Sequence, residues 1–326
     1  MNKNDSAKYI NVFYPFDGKS GIGDFVICAG LCPELAIKYK RVVRFICHES
    51  LKRFHFEYEN TEMVYLSDKE FQEKKENVCK KPNQIYAWFQ KNEEGKIIRG
   101  YDVNFADEFK KYVFDLPLQC RVNPPKIDFE RIKNELQDGK IKRTKWDKAI
   151  VLAPYSSSAN KLQNELLDCG WWEKVARILK HEYGYNIYTN IKNDKERPIK
   201  GTSSLEICGD ELIYVAKECK AFIGIRMGLM DLLSIIGAKV ICVANMGYFH
   251  YDLKMMYPDA NVVSCYMCWR FLEEINKRVS LNEQELLIIN ALNIQLKYSI
   301  GSSNNIEGQR YCLSYEKLLN TVMEYI

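Results

Sequence analysis

Short apolar runs and amphipathic segments alternate along most of the chain. In the first half, YINVFYP (9–15) is apolar enough for a buried strand, and a glycine turn separates it from an apolar run starting at Phe25, which predicts a helix from about Asp24. RVVRFIC (41–47) and EMVYLS (62–67) read as two further strands. SDKEFQEKKENV (67–78) opens with acids in its first turn, a helix-start pattern. QIYAWFQKNEEGKIIRGY (84–101) predicts two short strands around Gly95, an insertion in the parallel pattern, and ADEFKKYVFDL (106–116) predicts a helix. The rhythm restarts at KAIVLAPY (148–155), a strongly apolar strand. WWEKVARILKHEYG (171–184) is a helix ended by Gly184, and YNIYTN (185–190) is a strand. DELIYVAKEC (210–219) gathers Leu212, Val215 and Ala216 on one helical face. AFIGI, GLMDLLSIIG and KVICVAN (221–245) follow as strand, helix and strand, and LSYEKLLNTVMEYI (313–326) as a last amphipathic helix.

This alternation predicts an α/β chain whose parallel sheets are covered on both faces. Between the halves, CRVNPPKIDFERIKNELQDGKIKRTKWDK (120–148) is polar and broken by Pro124 and Pro125, the composition of a linker carrying one helix. The expected organisation is an N-terminal Rossmann-like domain over 1–122, a linker over 123–146 and a C-terminal Rossmann-like domain over 147–326. The two domains face each other across a cleft, with the last helix placed to pack back on the first.

Composition narrows the function. The chain has 326 residues, 47% of them hydrophobic, enough for two cores. A net charge of +4 with interspersed acids and bases, and no Lys/Arg stripe, sets nucleic acid aside. It suits an anionic ligand or loose peripheral contact with an anionic membrane face. MNKNDSAKYINVF has no apolar leader, and no run approaches the ~20 apolar residues of a membrane span, so a cytoplasmic protein is expected. Twelve cysteines in so long a chain then read as reduced thiols, mostly small hydrophobes in contexts such as FVICAGLC. Cys265 and Cys268 form a lone C-x-x-C. None of the four histidines lies near it in sequence, so neither a metal nor a cofactor is expected.

The stretch YPFDGKSGIGDFVICAG (14–30) invites a nucleotide reading. A P-loop needs a glycine five positions before Gly18, where Phe13 stands, and a dinucleotide fingerprint needs a glycine where Val26 follows Gly21 and Gly23. Both readings fall. What remains is Asp24 at the entry of a helix, on the carboxyl side of a strand, where ligands of α/β proteins bind. It serves there as a helix cap or as a base.

Three loops of the second half lie at carboxyl ends of predicted strands. APYSSSANK (153–161) offers Ser156, Ser157 and Lys161 to phosphates, or is an ordinary polar loop. YTNIKND (188–194) ends a strand with Thr189, Asn190 and Lys192, or is a solvated loop. FIGIRMGLMDLLS (222–234) is the most specific. Arg226 ends a buried strand and Gly228 opens a helix, so guanidinium and helix amides together suit a diphosphate. Asp231, one turn on, holds the arginine for that role or pairs with it only to stabilise the loop.

With these motifs in order, the chain resembles the GT-B glycosyltransferases, above all the heptosyltransferase group of lipopolysaccharide synthesis. GIGDFVICAG, KAIVLAPYSSS, WWEKVARILKHEYGYNIYTN and LIYVAKECKAFIGIRMGLMDLLSIIGAKVI carry the resemblance. The Arg-x-Gly-Leu loop is also similar to that of bacterial fucosyltransferase-like enzymes. The resemblance implies two facing Rossmann-like domains and metal-independent, inverting transfer. The donor is a nucleotide-diphosphate sugar; the acceptor is a surface glycan or its lipid carrier, as in lipopolysaccharide or capsule synthesis at the inner membrane. It makes Asp24, flanked by Gly21 and Gly23 on the acceptor side, the base. Ser156, Ser157, Lys161 and Gly228 fall where the family holds the donor diphosphate. The family's last loop reads acid-Ser/Thr-Gly-Leu followed by His. Arg226-Met227-Gly228-Leu229 lacks both acid and histidine, which argues for a donor other than ADP-heptose. Two other classes fit the same pattern. An epimerase would need further acids or a histidine in the cleft, from His48 or His250; a non-catalytic nucleotide-sugar binder would need neither.

Overall fold

Alternating apolar and aromatic positions draw the N-terminal strands into one parallel sheet. In the computed structural model, which describes residues 8–17, 21–77, 84–89, 103–136, 139–155, 169–192, 195–245, 252–267 and 288–290, these strands are β1 (Tyr9–Phe13), β2 (Val42–His48), β3 (Thr61–Leu66) and β4 (Gln84–Tyr86). Their order is β3-β2-β1-β4, with every pairing parallel. The helix α1 (Ile22–Tyr39) follows β1, and α2 (Asp68–Asn77) follows β3. Phe25, Val26, Ile27, Ala29, Leu31 and Leu35 are all buried along α1. A helix apolar on so many sides belongs to an interior, between two layers.

One expectation needs correction. The segment from Gln84 does not interrupt the parallel pattern: β4 pairs with β1 in parallel, Asn11 opposite Gln84 and Phe13 opposite Tyr86, and so extends the sheet. The second strand expected after Gly95 lies outside the described residues.

A helical turn α3 (Phe105–Glu108) runs into a π-helical turn, Phe109–Val113. The stretch between the sheets then carries α4 (Phe129–Glu135), α5 (Gly139–Arg143) and a 3₁₀ turn, Trp146–Lys148. It crosses α1 at Gly30, whose carbonyl accepts the Asn123 backbone N–H at 2.8 Å.

The second sheet comprises β5 (Ala149–Ala153), β6 (Asn186–Asn190), β7 (Ser203–Leu205), β8 (Ala221–Ile225), β9 (Val240–Asn245), β10 (Val262–Met267) and β11 (Ile288–Asn290). Its order is β11-β10-β9-β8-β5-β6-β7, parallel except for the antiparallel β10–β11 pair. Every residue of β5 and β8 is buried, as expected for central strands of a sheet covered on both faces. The helices are α6 (Cys169–His181), α7 (Gly209–Glu218), α8 (Gly228–Ile235) and the short α9 (Leu253–Met256). Gly184, with φ of 73°, follows the end of α6 as its sequence position implies. The C-terminal helix expected over 313–326 lies outside the described residues.

Cys28, Cys32, Cys47, Cys219 and Cys242 are buried, and burial pushes the Cys28, Cys32, Cys47 and Cys219 thiols up, so these four behave as apolar side chains. One apolar cluster runs from β1 and α1 through α8 to β9, so the two sheets share a continuous core. Among the described residues, no helix is long and apolar enough to cross a membrane.

The crossing at Gly30 leaves no room for a side chain. A Cβ there would lie 2.6 Å from Val122 Cγ1 and 2.7 Å from the Asn123 carbonyl oxygen. Gly30→Ala is therefore expected to destabilise by about 1–3 kcal/mol in urea unfolding. An unchanged midpoint would show that the crossing segment yields freely.

Candidate active site between the two sheets

The β1–α1 turn is built on Gly21. It takes φ of 75°, a left-handed conformation that disfavours side chains, and a Cβ there would lie 2.7 Å from the Tyr14 hydroxyl oxygen. The buried Tyr14 donates its hydroxyl proton to the Gly21 carbonyl, which also accepts the Phe25 N–H at 2.9 Å. Gly21 is thus the cap residue, and α1 begins at Ile22, two residues earlier than expected. Asp24 stands in the first helical turn rather than at the cap. It is half-buried, with Oδ2 turned back toward Gly21, 3.2 Å from where a Cβ would be. Burial pushes the Tyr14 phenol well up, and the Asp24 carboxylate beside it adds to the shift.

On the other sheet, β8 ends at Ile225, Arg226 follows, and Met227 caps α8 without a side-chain bond. Arg226 folds back on Asp231 in a two-pronged pair, Nη1 to Oδ2 at 2.6 Å and Nη2 to Oδ1 at 2.8 Å. Nη1 also donates to the Met227 carbonyl at 3.0 Å, and the Tyr257 hydroxyl donates to Asp231 Oδ1 at 3.2 Å. The pair is enclosed, its side chains 10% and 3% exposed. Burial opposes the charge on Arg226, and Asp231 more than restores it, so the guanidinium stays cationic. Burial also pushes the Asp231 carboxyl up, against the pull of Arg226. The Tyr257 phenol is raised by burial and by Asp231, with a smaller push from Asp24, which places Asp24 within electrostatic reach of this network.

The two helix starts meet. A Cβ on Gly228 would lie 2.7 Å from the Gly23 nitrogen, and one on Gly23 would lie 2.6 Å from Asp231 Oδ2 and 3.0 Å from Gly228 Cα. Two amino-terminal helix ends, each equivalent to about half a positive charge, therefore converge. Each helix carries an acid near its start, Asp24 in α1 and Asp231 in α8.

Of the other expected residues, Thr189 is buried and its hydroxyl is used locally, 2.6 Å from the Thr202 hydroxyl and accepting the Ile199 N–H at 3.1 Å. It holds the loop after β6. Asn190, also buried, keeps Oδ1 without a hydrogen-bond partner among the described residues, at the carboxyl end of β6. The Lys192 N–H donates to Glu196 at 2.7 Å. Ser156, Ser157 and Lys161 lie outside the described residues, as do His250 and Cys268; Cys265 sits on β10. Among the described residues, no three His, Cys, Asp or Glu side chains come together as a metal site. His48, at the end of β2, has Nε2 on Asp68 at 2.7 Å and Nδ1 beside the Ser50 hydroxyl at 2.8 Å.

No family model matches the chain, and no curated protein matches its sequence. Solved structures do. The glycosyl transferase family 9 protein from Veillonella parvula superposes with a TM-score of 0.58 at 13% identity, covering 98% of this chain and 97% of its own. The Escherichia coli ADP-heptose lipopolysaccharide heptosyltransferase II gives 0.54 at 10% identity, over 79% of this chain and 89% of its own. The dodecameric iron-containing heptosyltransferase TibC, in complex with ADP-D-β-D-heptose, gives 0.51 at 13% identity, over 75% and 60%.

The chain has the GT-B architecture. In this GT-B chain the carboxyl-side ends of β1 and β8 lead into the helix starts that touch at Gly23 and Gly228. Two residues of this region escaped the sequence reading. Tyr14 stands in the quoted turn, and an aromatic hydroxyl just past a strand was its signal. Tyr257, in the short stretch MMYPD, gives none.

The buried pair makes a sharp stability prediction. Removing one partner strands a charge, so Arg226→Ala or Asp231→Ala should each cost about 3–5 kcal/mol in chemical unfolding. Arg226→Ala with Asp231→Ala together should cost less than the two single changes summed. Additive losses would show that the two groups do not act as a pair.

Proposed function

We propose that this protein is a glycosyltransferase that moves a sugar from a nucleotide-diphosphate donor to a hydroxyl of a glycan or lipid-linked acceptor. The observation that carries this reading is the convergence of the α1 and α8 amino-terminal ends beside Asp24. That is a place prepared for a diphosphate, next to a carboxylate that can take a proton. The likeness in fold to glycosyltransferases supports it. We take 1–122 as the acceptor domain, 123–146 as the linker and 147–326 as the donor domain, with the protein in the cytoplasm or on the inner membrane face.

In this reading Asp24 deprotonates the acceptor hydroxyl as the new glycosidic bond forms, and the sugar inverts at its anomeric carbon. The bond to the diphosphate breaks at the same time. The α8 amides, with Arg226 oriented by Asp231, take up the charge of the leaving group, and Ser156, Ser157 and Lys161 complete the cradle. Asn190, whose buried Oδ1 has no hydrogen-bond partner among the described residues, meets a hydroxyl or amine of the nucleoside. The donor differs from ADP-heptose, as the Arg226 loop argues, and a lipopolysaccharide or capsule glycan is the acceptor class.

The epimerase alternative is less favoured. Of the histidines it would need, His48 has Nε2 on Asp68 and Nδ1 beside Ser50, on the outer β2–β3 side of its sheet, and His250 lies outside the described residues.

Asp24→Asn preserves size and the helix start, so folding and donor binding should persist while transfer falls roughly 10²–10⁴-fold. A loss of only a few-fold, measured on product formation, would return Asp24 to a structural role and leave the binder reading standing. Transfer should also survive EDTA. Activity that disappears with chelation and returns with Mg²⁺ or Mn²⁺ would contradict a diphosphate site made of amides and cationic side chains.

A further inference from the structure

Away from the helix contact, the edge strand β7 and its neighbour β6 meet the segment that joins the two sheets, and a cavity of about 260 Å³ opens there. The buried Ile141, Trp146 and Leu205 form its base, Tyr188 stands half-buried beside them, and Thr144, Ser204 and Glu206 lie toward solvent. Trp146 donates its indole N–H to the Ile141 carbonyl at 2.9 Å, which fixes the ring. The Tyr188 ring centre lies 5.1 Å from it, tilted by 46°. No hydrogen bond to a described residue uses the Tyr188 hydroxyl, the Ser204 hydroxyl or the Glu206 carboxylate.

We propose that this cavity binds one pyranose unit of a neutral carbohydrate. A pyranose presents a C–H face and a rim of hydroxyls. The apolar base and the Tyr188 ring match the face; Ser204, Glu206 and the tyrosine hydroxyl match the rim, the carboxylate accepting two donors at once. Among the described residues no lysine or arginine lines the cavity, which disfavours phosphate. Its volume is below the roughly 300–1,000 Å³ of pockets that enclose larger ligands, so a single ring fits better than a nucleotide.

The cavity is separate from the contact of α1 with α8, and on β6 its Tyr188 stands two residues before Asn190. Strand order puts β7 three strands from β8, about 14 Å at the usual spacing, and Gly228 lies beyond β8. In the transferase reading, a sugar held here would be a unit of a longer glycan rather than the one transferred. The proposal does not rest on the transferase reading, since a carbohydrate site on this flank stands whether or not Asp24 is a base.

Saturation-transfer NMR on the full chain tests it. The probes are the methyl glycosides of glucose, galactose, mannose and N-acetylglucosamine, with cellotriose. At least one should receive saturation on its ring-face protons. Its affinity should fall about tenfold or more in both Tyr188→Leu and Glu206→Gln, the loss expected when a stacking face or a charged acceptor is removed. UDP, GDP and ADP should not displace it. Melting curves check that each variant folds, and Glu206→Gln, a change at an exposed position, carries the test if Tyr188→Leu does not. Absence of transfer to every probe, transfer unchanged in the folded variants, or displacement by a nucleoside diphosphate would overturn the proposal.

Discussion

Two helices can bring their positive ends together only if negative charge or hydrogen-bond acceptors come with them, and only if no side chain stands between. Both conditions are met where α1 touches α8. Gly23 and Gly228 remove the side chains, since a Cβ on either would sit within 3 Å of the other helix. Asp24 and Asp231 supply the acids. The rest of the arrangement follows from that contact. It joins the cores of the two sheets, and it aligns the carboxyl-side end of β1 with that of β8. It also leaves polarised backbone amides beside a half-buried carboxylate. An approaching diphosphate would bring further negative charge to a place where two helix fields already favour it.

The Arg226–Asp231 pair has a definite physical cost. Two charges are taken out of water, and their attraction offsets this only because the geometry is two-pronged and further hydrogen bonds are made, from Tyr257 and to the Met227 carbonyl. Such a network holds a guanidinium in one orientation rather than adding much net stability. An arginine fixed in this way loses little side-chain entropy when an anion arrives, which is the advantage of a preorganised site.

How much of this was legible in the sequence depends on the range of the forces involved. β5 and β8 were plain because central strands of a covered sheet are apolar throughout, and AIVLA and AFIGI have few other ways to hide. β7, β10 and β11 were missed. SSL is too short and polar to signal a strand, and the pairing of the other two depends on neighbours distant in sequence. The QIY segment was misplaced as an insertion because its partner is β1, not the next residues along. Asp24 and Arg226 were legible as chemistry at strand ends. The Arg226–Asp231 pair was foreseeable from one helical turn of spacing, yet its enclosure was not. Burial at that point comes from Tyr257, Met256 and α1, which no local pattern connects. Thr189 shows the reverse error, a polar residue at a strand end whose hydroxyl is consumed by its own loop.

The claim at the centre is that the converging starts of α1 and α8 form an anion site for a nucleoside diphosphate. It is tested most directly by following backbone amide resonances while UDP, GDP and ADP, and then the matching nucleosides, are titrated in the presence of EDTA. The predicted result is that at least one diphosphate binds and its nucleoside binds much more weakly. The largest amide shifts should fall at Gly23, Gly228 and Leu229. Binding that shifts amides elsewhere and leaves these three unmoved, or equal affinity for nucleoside and diphosphate, would contradict it.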